Sequence, residues 1–97
     1  MKIKSAIIAL GALAQESRLA IFRTLIQAGT AGLAAGKISE ATGVAPSSVS
    51  FHMKELARAN LVTSFQDGRF VIYAANFKTM NALLAFLTEN CCGGKPC

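Results

Sequence analysis

The chain has 97 residues, 53% of them hydrophobic and only 15% charged. That length bounds it to one small domain, and with no run of about 18 apolar residues it offers no helix able to span a bilayer. So much apolar surface on so short a chain predicts self-association, and ten Lys plus Arg against five Asp plus Glu favour a polyanionic partner, nucleic acid above all.

The first segment admits two readings. Met1-Lys2-Ile3-Lys4 is basic, Ser5 to Ala14 is apolar, and Ala12-Leu13-Ala14 resembles a cleavage triplet, as in a secretory signal. Alternatively Ile3, Ile7, Leu10 and Ala14, with Ile8 alongside, step at helical spacing and form an amphipathic helix at a dimer seam. The helix is preferred, because the remainder of the chain looks cytoplasmic. A second helix is expected from Ser17 to Ala28, with Leu19, Phe22, Leu25 and Ile26 on one side and Gly29 as its stop. Thr30 to Ala35 reads as a connection. Gly36 to Thr42 is a short helix presenting Ile38 and Ala41, and Gly43 makes the turn. Pro46 suits a first helical position, where its missing N–H costs nothing. That helix runs to about Asn60 and turns Val49, Met53, Leu56 and Ala57 inward.

The period then changes. Residues 61–65 and 69–73 are rich in β-branched and aromatic side chains, and Asp67-Gly68 between them is a hairpin signal. Asn76 caps a final helix, whose stripe is Phe77, Met80, Leu83, Leu84 and Leu87 and which fades near Asn90. The predicted order is α-α-α-α-β-β-α: a mostly helical fold in which a helix-turn-helix is followed by a β-hairpin wing, the plan of a winged-helix DNA-binding domain. Residues 1–90 form that domain and residues 91–97 a flexible tail.

The tail holds every cysteine: Cys91, Cys92 and Cys97. An odd number argues against a secreted disulfide framework, and clustered thiols suit a reducing compartment. Neighbouring cysteines do not easily close on each other. Gly93 and Gly94 free the backbone, and Pro96 re-aims it, so Cys97 can return to the pair. Three soft donors select soft metals, whereas structural zinc normally takes four ligands. The opposing reading is an unstructured, oxidisable end with no role. Cys92 and Cys97 are too far apart for a Cys-x-x-Cys redox motif, and no catalytic constellation or organic cofactor motif is found.

Several stretches resemble one family. Residues 14–21, the run Gly36 to Leu56 with Val49-Ser50-x-His52-x-x-x-Leu56 as its most specific part, and Ala59 to Val62 followed by Asp67-Gly68-Arg69 and Tyr73 are similar to the ArsR/SmtB group of bacterial metal-sensing repressors. The resemblance implies a cytoplasmic homodimer joined through its first and last helices, gripping double-stranded operator DNA and released by metal. Two recognition helices would then face half-sites roughly 34–36 Å apart. The family's usual Cys-x-Cys motif belongs in the short helix before the recognition helix, and residues 36–42 contain no cysteine. The chain looks instead like the arsenic-responsive subgroup with thiols after the last helix. Trivalent arsenic or antimony, taking three thiolates in a pyramid, is then the expected inducer, held by Cys91, Cys92 and Cys97.

On the DNA side, Ser47, Ser48, Ser50 and His52 are candidates for phosphates or base edges, and Lys54 and Arg58 for phosphates. Phe51 either touches a thymine methyl or packs. His52 is either a DNA ligand or a half-buried helix residue. Arg69 either enters a minor groove or is a solvated turn residue. Two other functions fit the same sequence. One is a repressor of this fold that senses oxidants, or cadmium, lead or zinc. The other is an exported metal-sequestering protein whose first 14 residues are a leader.

Overall fold

The structure is a computed structural model and describes residues 1–97. Five helices, α1 (Ile3–Leu13), α2 (Glu16–Ala28), α3 (Ala35–Thr42), α4 (Pro46–Arg58) and α5 (Phe77–Leu87), alternate with three strands, β1 (Leu33–Ala34), β2 (Val62–Asp67) and β3 (Phe70–Ala75). The strands form one antiparallel sheet in the order β1-β3-β2.

Local chemistry explains most of the boundaries. The Gln15 side chain accepts from the Arg18 amide at 2.8 Å and caps α2. Asn76 does the same for the Thr79 amide at 3.2 Å and opens α5. In both cases a side-chain oxygen meets one of the amides that the first turn leaves unbonded. At the end of α4, Asn60 takes the left-handed conformation with φ 60°. The Asn60 amide donates to Ala57 at 2.9 Å and the Leu61 amide to Leu56 at 3.0 Å. This pair of bonds is the Schellman arrangement, with asparagine in the position usually held by glycine.

Ile21, Leu25, Ile38, Val49, Met53, Leu56 and Leu61 are the largest side chains withdrawn fully from water. They come from α2, α3, α4 and the entry to β2, so one cluster fixes the helix-turn-helix against its neighbours. Ala6 and Ala9 of α1 belong to the same cluster, which makes the basic-apolar first segment part of the fold. No single helix is long and apolar enough to cross a membrane.

The structure adds a strand to the expected order. Leu33 pairs with Tyr73 and Ala34 with Ile72, inside the stretch read as a connection. Two residues are too short to show a period of two, which hid the strand. Some inward faces also differ. Ile21 is fully buried while Leu19 is exposed, and Ala41 and Ala57 face solvent. On α5 only Leu83 is buried, Phe77 and Met80 are half-buried, and Leu84 and Leu87 are more than half exposed. A stripe at helical spacing marks an apolar face without saying whether the same chain covers it.

The chain is elongated: its radius of gyration is 14.6 Å, against about 13 Å for a compact domain of this length. Ile3, Ile7 and Leu10 of α1 remain exposed, as do Phe65, Phe70 and Val71 of the hairpin, so the apolar excess noted in the composition lies on the outside of α1, α5 and the wing.

Gly32 has φ 68°, and a Cβ there would run into the Tyr73 carbonyl oxygen across the β1–β3 pairing. Gly32→Ala should therefore lower stability by about 1–3 kcal/mol, measured by urea denaturation. Unchanged stability would mean that β1 does not pair with β3 as described.

Candidate functional site

The helix-turn-helix is α3, its turn and α4. Gly43 takes the left-handed conformation with φ 75°, and its amide donates to the Ser39 carbonyl at 2.9 Å. The Ser39 hydroxyl donates to the Val44 carbonyl at 2.5 Å. Thr42 Oγ1 donates to Ile38 at 2.7 Å and accepts from the Val44 amide at 3.3 Å. Side chains on both sides of the glycine thus hold the angle between α3 and α4. Pro46 begins α4, where its fixed φ is already helical.

Helix α4 buries Val49, Met53 and Leu56. Ser47, Ser50, Phe51, Lys54 and Arg58 recur at three- and four-residue steps, share the opposite stripe, and are exposed. Ser48 is exposed on the flank that also carries His52 and Glu55, both half-buried. Phe51 is 56% exposed and meets His52 edge-on, with ring centroids 5.6 Å apart. An aromatic ring so open is not a packing residue of this chain. His52 Nδ1 is buried with no hydrogen-bond partner. The ring therefore has only Nε2 left to meet a partner outside the chain. Arg58 makes one loose contact with Glu55 at 3.4 Å, and a pair this exposed holds it only weakly. Arg69 is exposed beside Gly68 at the hairpin tip, well away from α4 in sequence.

Sequence reading missed the joint between α4 and α5. Asn60 Nδ2 donates to Thr79 Oγ1 at 3.2 Å, and Asn76 Nδ2 donates to Asn60 Oδ1 at 3.3 Å. The Asn76 amide donates to the Leu61 carbonyl at 2.8 Å. The end of α4 is thereby tied to the start of α5, the helix that precedes the cysteines. The available signal was an asparagine directly after a helix, a common left-handed stop.

Past α5 the tail does not trail away. Residues Cys91–Gly94 form a tight turn; Asn90 just before it and Cys92, Gly93 and Gly94 within it have positive φ. The amides of Cys91, Gly93 and Lys95 donate to Thr88, Asn90 and Cys92 at 3.0, 2.9 and 3.2 Å. This reversal carries Cys97 back over the adjacent pair. Cys91 Sγ lies 3.8 Å from Cys92 Sγ and 3.4 Å from Cys97 Sγ, and all three sulfurs fall within 4.8 Å of one another. Cys92 and Cys97 stand at disulfide contact, with Cα atoms 5.8 Å apart, and Cys91 is free. The expected set of three thiolates therefore exists only once that contact is reduced. All three residues are exposed, and neither His52 nor any carboxylate joins the cluster. The donors are sulfur only and fit a soft ion that accepts three of them.

A helix-turn-helix domain family matches residues 13–64. The arsenical resistance operon repressor of Bacillus subtilis (strain 168) is 36% identical over 81 residues, covering 84% of this chain and 73% of that protein. The solved structure of an ArsR-like transcriptional regulator from Rhodococcus sp. RHA1 superposes with a TM-score of 0.78 at 24% identity, over 90% of this chain and 79% of that one. A winged helix-turn-helix DNA-binding domain from Mycobacterium bovis, described as homodimeric, has a TM-score of 0.72 at 23% identity, over 96% of this chain and 86% of that one.

The two faces of α4 should separate cleanly in denaturation experiments. Met53→Ala is expected to cost about 2–5 kcal/mol, and Phe51→Ala to stay within about 0.5 kcal/mol of the parent. A large loss for Phe51→Ala would place that ring in the core and remove it from the reading face.

Proposed function

The chain belongs to the ArsR family of winged-helix transcriptional regulators, and on that ground we propose that it is a homodimeric repressor released from operator DNA by trivalent arsenic or antimony. The convergence of Cys91, Cys92 and Cys97 at the end of α5 carries this reading. The resemblance to an arsenical resistance operon repressor supports it, and so does the absence of cysteine from α3, which leaves the tail as the only thiol cluster.

The dimer forms through α1 and α5. Ile3, Ile7 and Leu10 on one and Leu84 and Leu87 on the other leave apolar area open to water, each side chain gaining roughly half of the 1.5–3 kcal/mol of a complete burial once covered. An apolar groove of ≈ 440 Å³ between α2 and α5, lined by Leu19, Phe22, Ile26, Met80 and Leu84, continues this surface. Each protomer then presents one α4 to a major groove. Ser47, Ser48, Ser50, Lys54 and Arg58 take phosphates and base edges. Phe51 offers an apolar contact of the kind a thymine methyl accepts. His52 offers Nε2, and Arg69 reaches the backbone or minor groove from the wing.

Release is a difference in affinity between two subunit arrangements. An inducer acts only if it binds the DNA-free arrangement better than the bound one. Three thiolates gathered on one ion order the turn that caps α5. Because α5 is both the dimer helix and the partner of Asn60 at the end of α4, reshaping its end shifts the spacing of the two reading heads.

A titration of arsenite against a labelled operator duplex and reduced protein tests this directly. Arsenite should weaken operator binding by about 5–150-fold, the range of a coupling of 1–3 kcal/mol. The chain with Cys91, Cys92 and Cys97 all replaced by Ser should bind the same duplex with parental affinity and ignore arsenite. Equal release from the triple variant would overturn the sensing role of the tail. Failure of both proteins to bind any duplex would overturn the repressor reading itself.

A further inference from the structure

We infer that Cys92 and Cys97 are a reversible redox pair whose closure removes two of the three soft donors and makes the tail deaf to metalloid. The inference rests on the proposed sensing role for its consequence, but the pairing itself stands on the geometry of the tail alone.

Four neighbouring residues with positive φ, Asn90, Cys92, Gly93 and Gly94, turn the chain back on itself. The Lys95 amide closes the turn on the Cys92 carbonyl at 3.2 Å. The Cα atoms of Cys92 and Cys97 are held 5.8 Å apart, inside the span a disulfide bridges. Cys91 is the near neighbour that is left out. It adjoins Cys92, where ring closure is unfavourable, and its sulfur stays 3.4 Å from that of Cys97. Only a short loop is closed, so little chain entropy opposes the bond. All three cysteines are exposed, and a soluble oxidant reaches them without any opening of the fold.

The chemistry needs one peroxide per chain. The thiolate of one member attacks a peroxide oxygen and the O–O bond breaks. The released hydroxide takes a proton and leaves as water, and a sulfenic acid remains. The thiolate of the other member then attacks that sulfur. The S–O bond breaks, the released hydroxide takes a proton and leaves as a second water, and the Cys92–Cys97 bond forms. The two sulfurs together lose two electrons, and the two peroxide oxygens gain them. A low-molecular-weight dithiol reverses the bond by exchange through a mixed disulfide. Oxidation and ligation thus compete for the same sulfur atoms. A peroxide blocks arsenite uptake, and bound arsenite shields the sulfurs from peroxide.

The test uses the full chain and reads mass and metalloid content. Reduced protein should alkylate at all three cysteines and retain one arsenic per chain after gel filtration. Hydrogen peroxide at stoichiometric amount should leave Cys91 alone alkylated, give a bond mapped to Cys92 and Cys97 by tandem mass spectrometry, and abolish arsenic retention until dithiothreitol restores it. Cys91→Ser should still close that bond, and Cys92→Ser should not. Arsenite added first should preserve the thiols. A bond mapped to Cys91, a bond between chains, or three free thiols after peroxide overturns the pair. Arsenic retention by the closed form overturns the competition. Reduced protein that retains no arsenic defeats the sensing role and the competition with it, while the mass map still decides the pairing separately.

Discussion

One cluster of apolar side chains determines where everything else in this molecule points. Ile21 and Leu25 from α2, Ile38 from α3, and Val49, Met53 and Leu56 from α4 are fully withdrawn from water together with Leu61. A helix that buries one stripe must expose the other. Burial of Val49, Met53 and Leu56 is thus the same event as exposure of Ser47, Ser50, Phe51, Lys54 and Arg58. This exposed face is built by packing rather than by any contact among its own residues. Only one ion pair, Arg58 with Glu55, involves this face, and its cationic side chains stay available to an anion.

The second constraint is the joint at the end of α4. Asn60 closes the helix by taking the left-handed turn, and its side chain then bonds both Thr79 and Asn76. The reading helix and the tail helix therefore share a polar hinge a few residues long. Under the proposed sensing role, a signal from the cysteines would have a short physical path: the turn after α5, α5 itself, Asn76 and Asn60, then α4. Exposed hydrogen bonds of this kind are individually weak, as the proposed switch would require of a joint between two arrangements.

Much of this was legible in the chain. Pro46, Gly43 and Asn76 are local punctuation, and each falls where its own stereochemistry demands; the hairpin turn lies one residue beyond the Asp67-Gly68 signal, at Gly68-Arg69, because Asp67 stays in β2 and pairs with Phe70. The alternation of periods separated helices from wing. Three things were hidden, each for a physical reason. Strand β1 is two residues long and is formed by pairing with β3, a non-local event. Whether Leu84 and Leu87 are core or surface depends on what covers them, which periodicity does not encode. The return of Cys97 to the adjacent pair was legible from Gly93, Gly94 and Pro96, but not that Asn90 and Cys92 also take positive φ to complete it. That reversal matters most for the site, since it turns three cysteines close in sequence into three sulfurs close in space.

For the proposed switch to work, those sulfurs must act as one ligand set at the end of α5. X-ray absorption at the arsenic edge on reduced, arsenite-loaded protein counts them directly. Three sulfur neighbours and no oxygen around each arsenic, with one arsenic per chain, is the predicted result. An arsenic bearing two sulfurs and an oxygen, or one arsenic for every two chains, would contradict it.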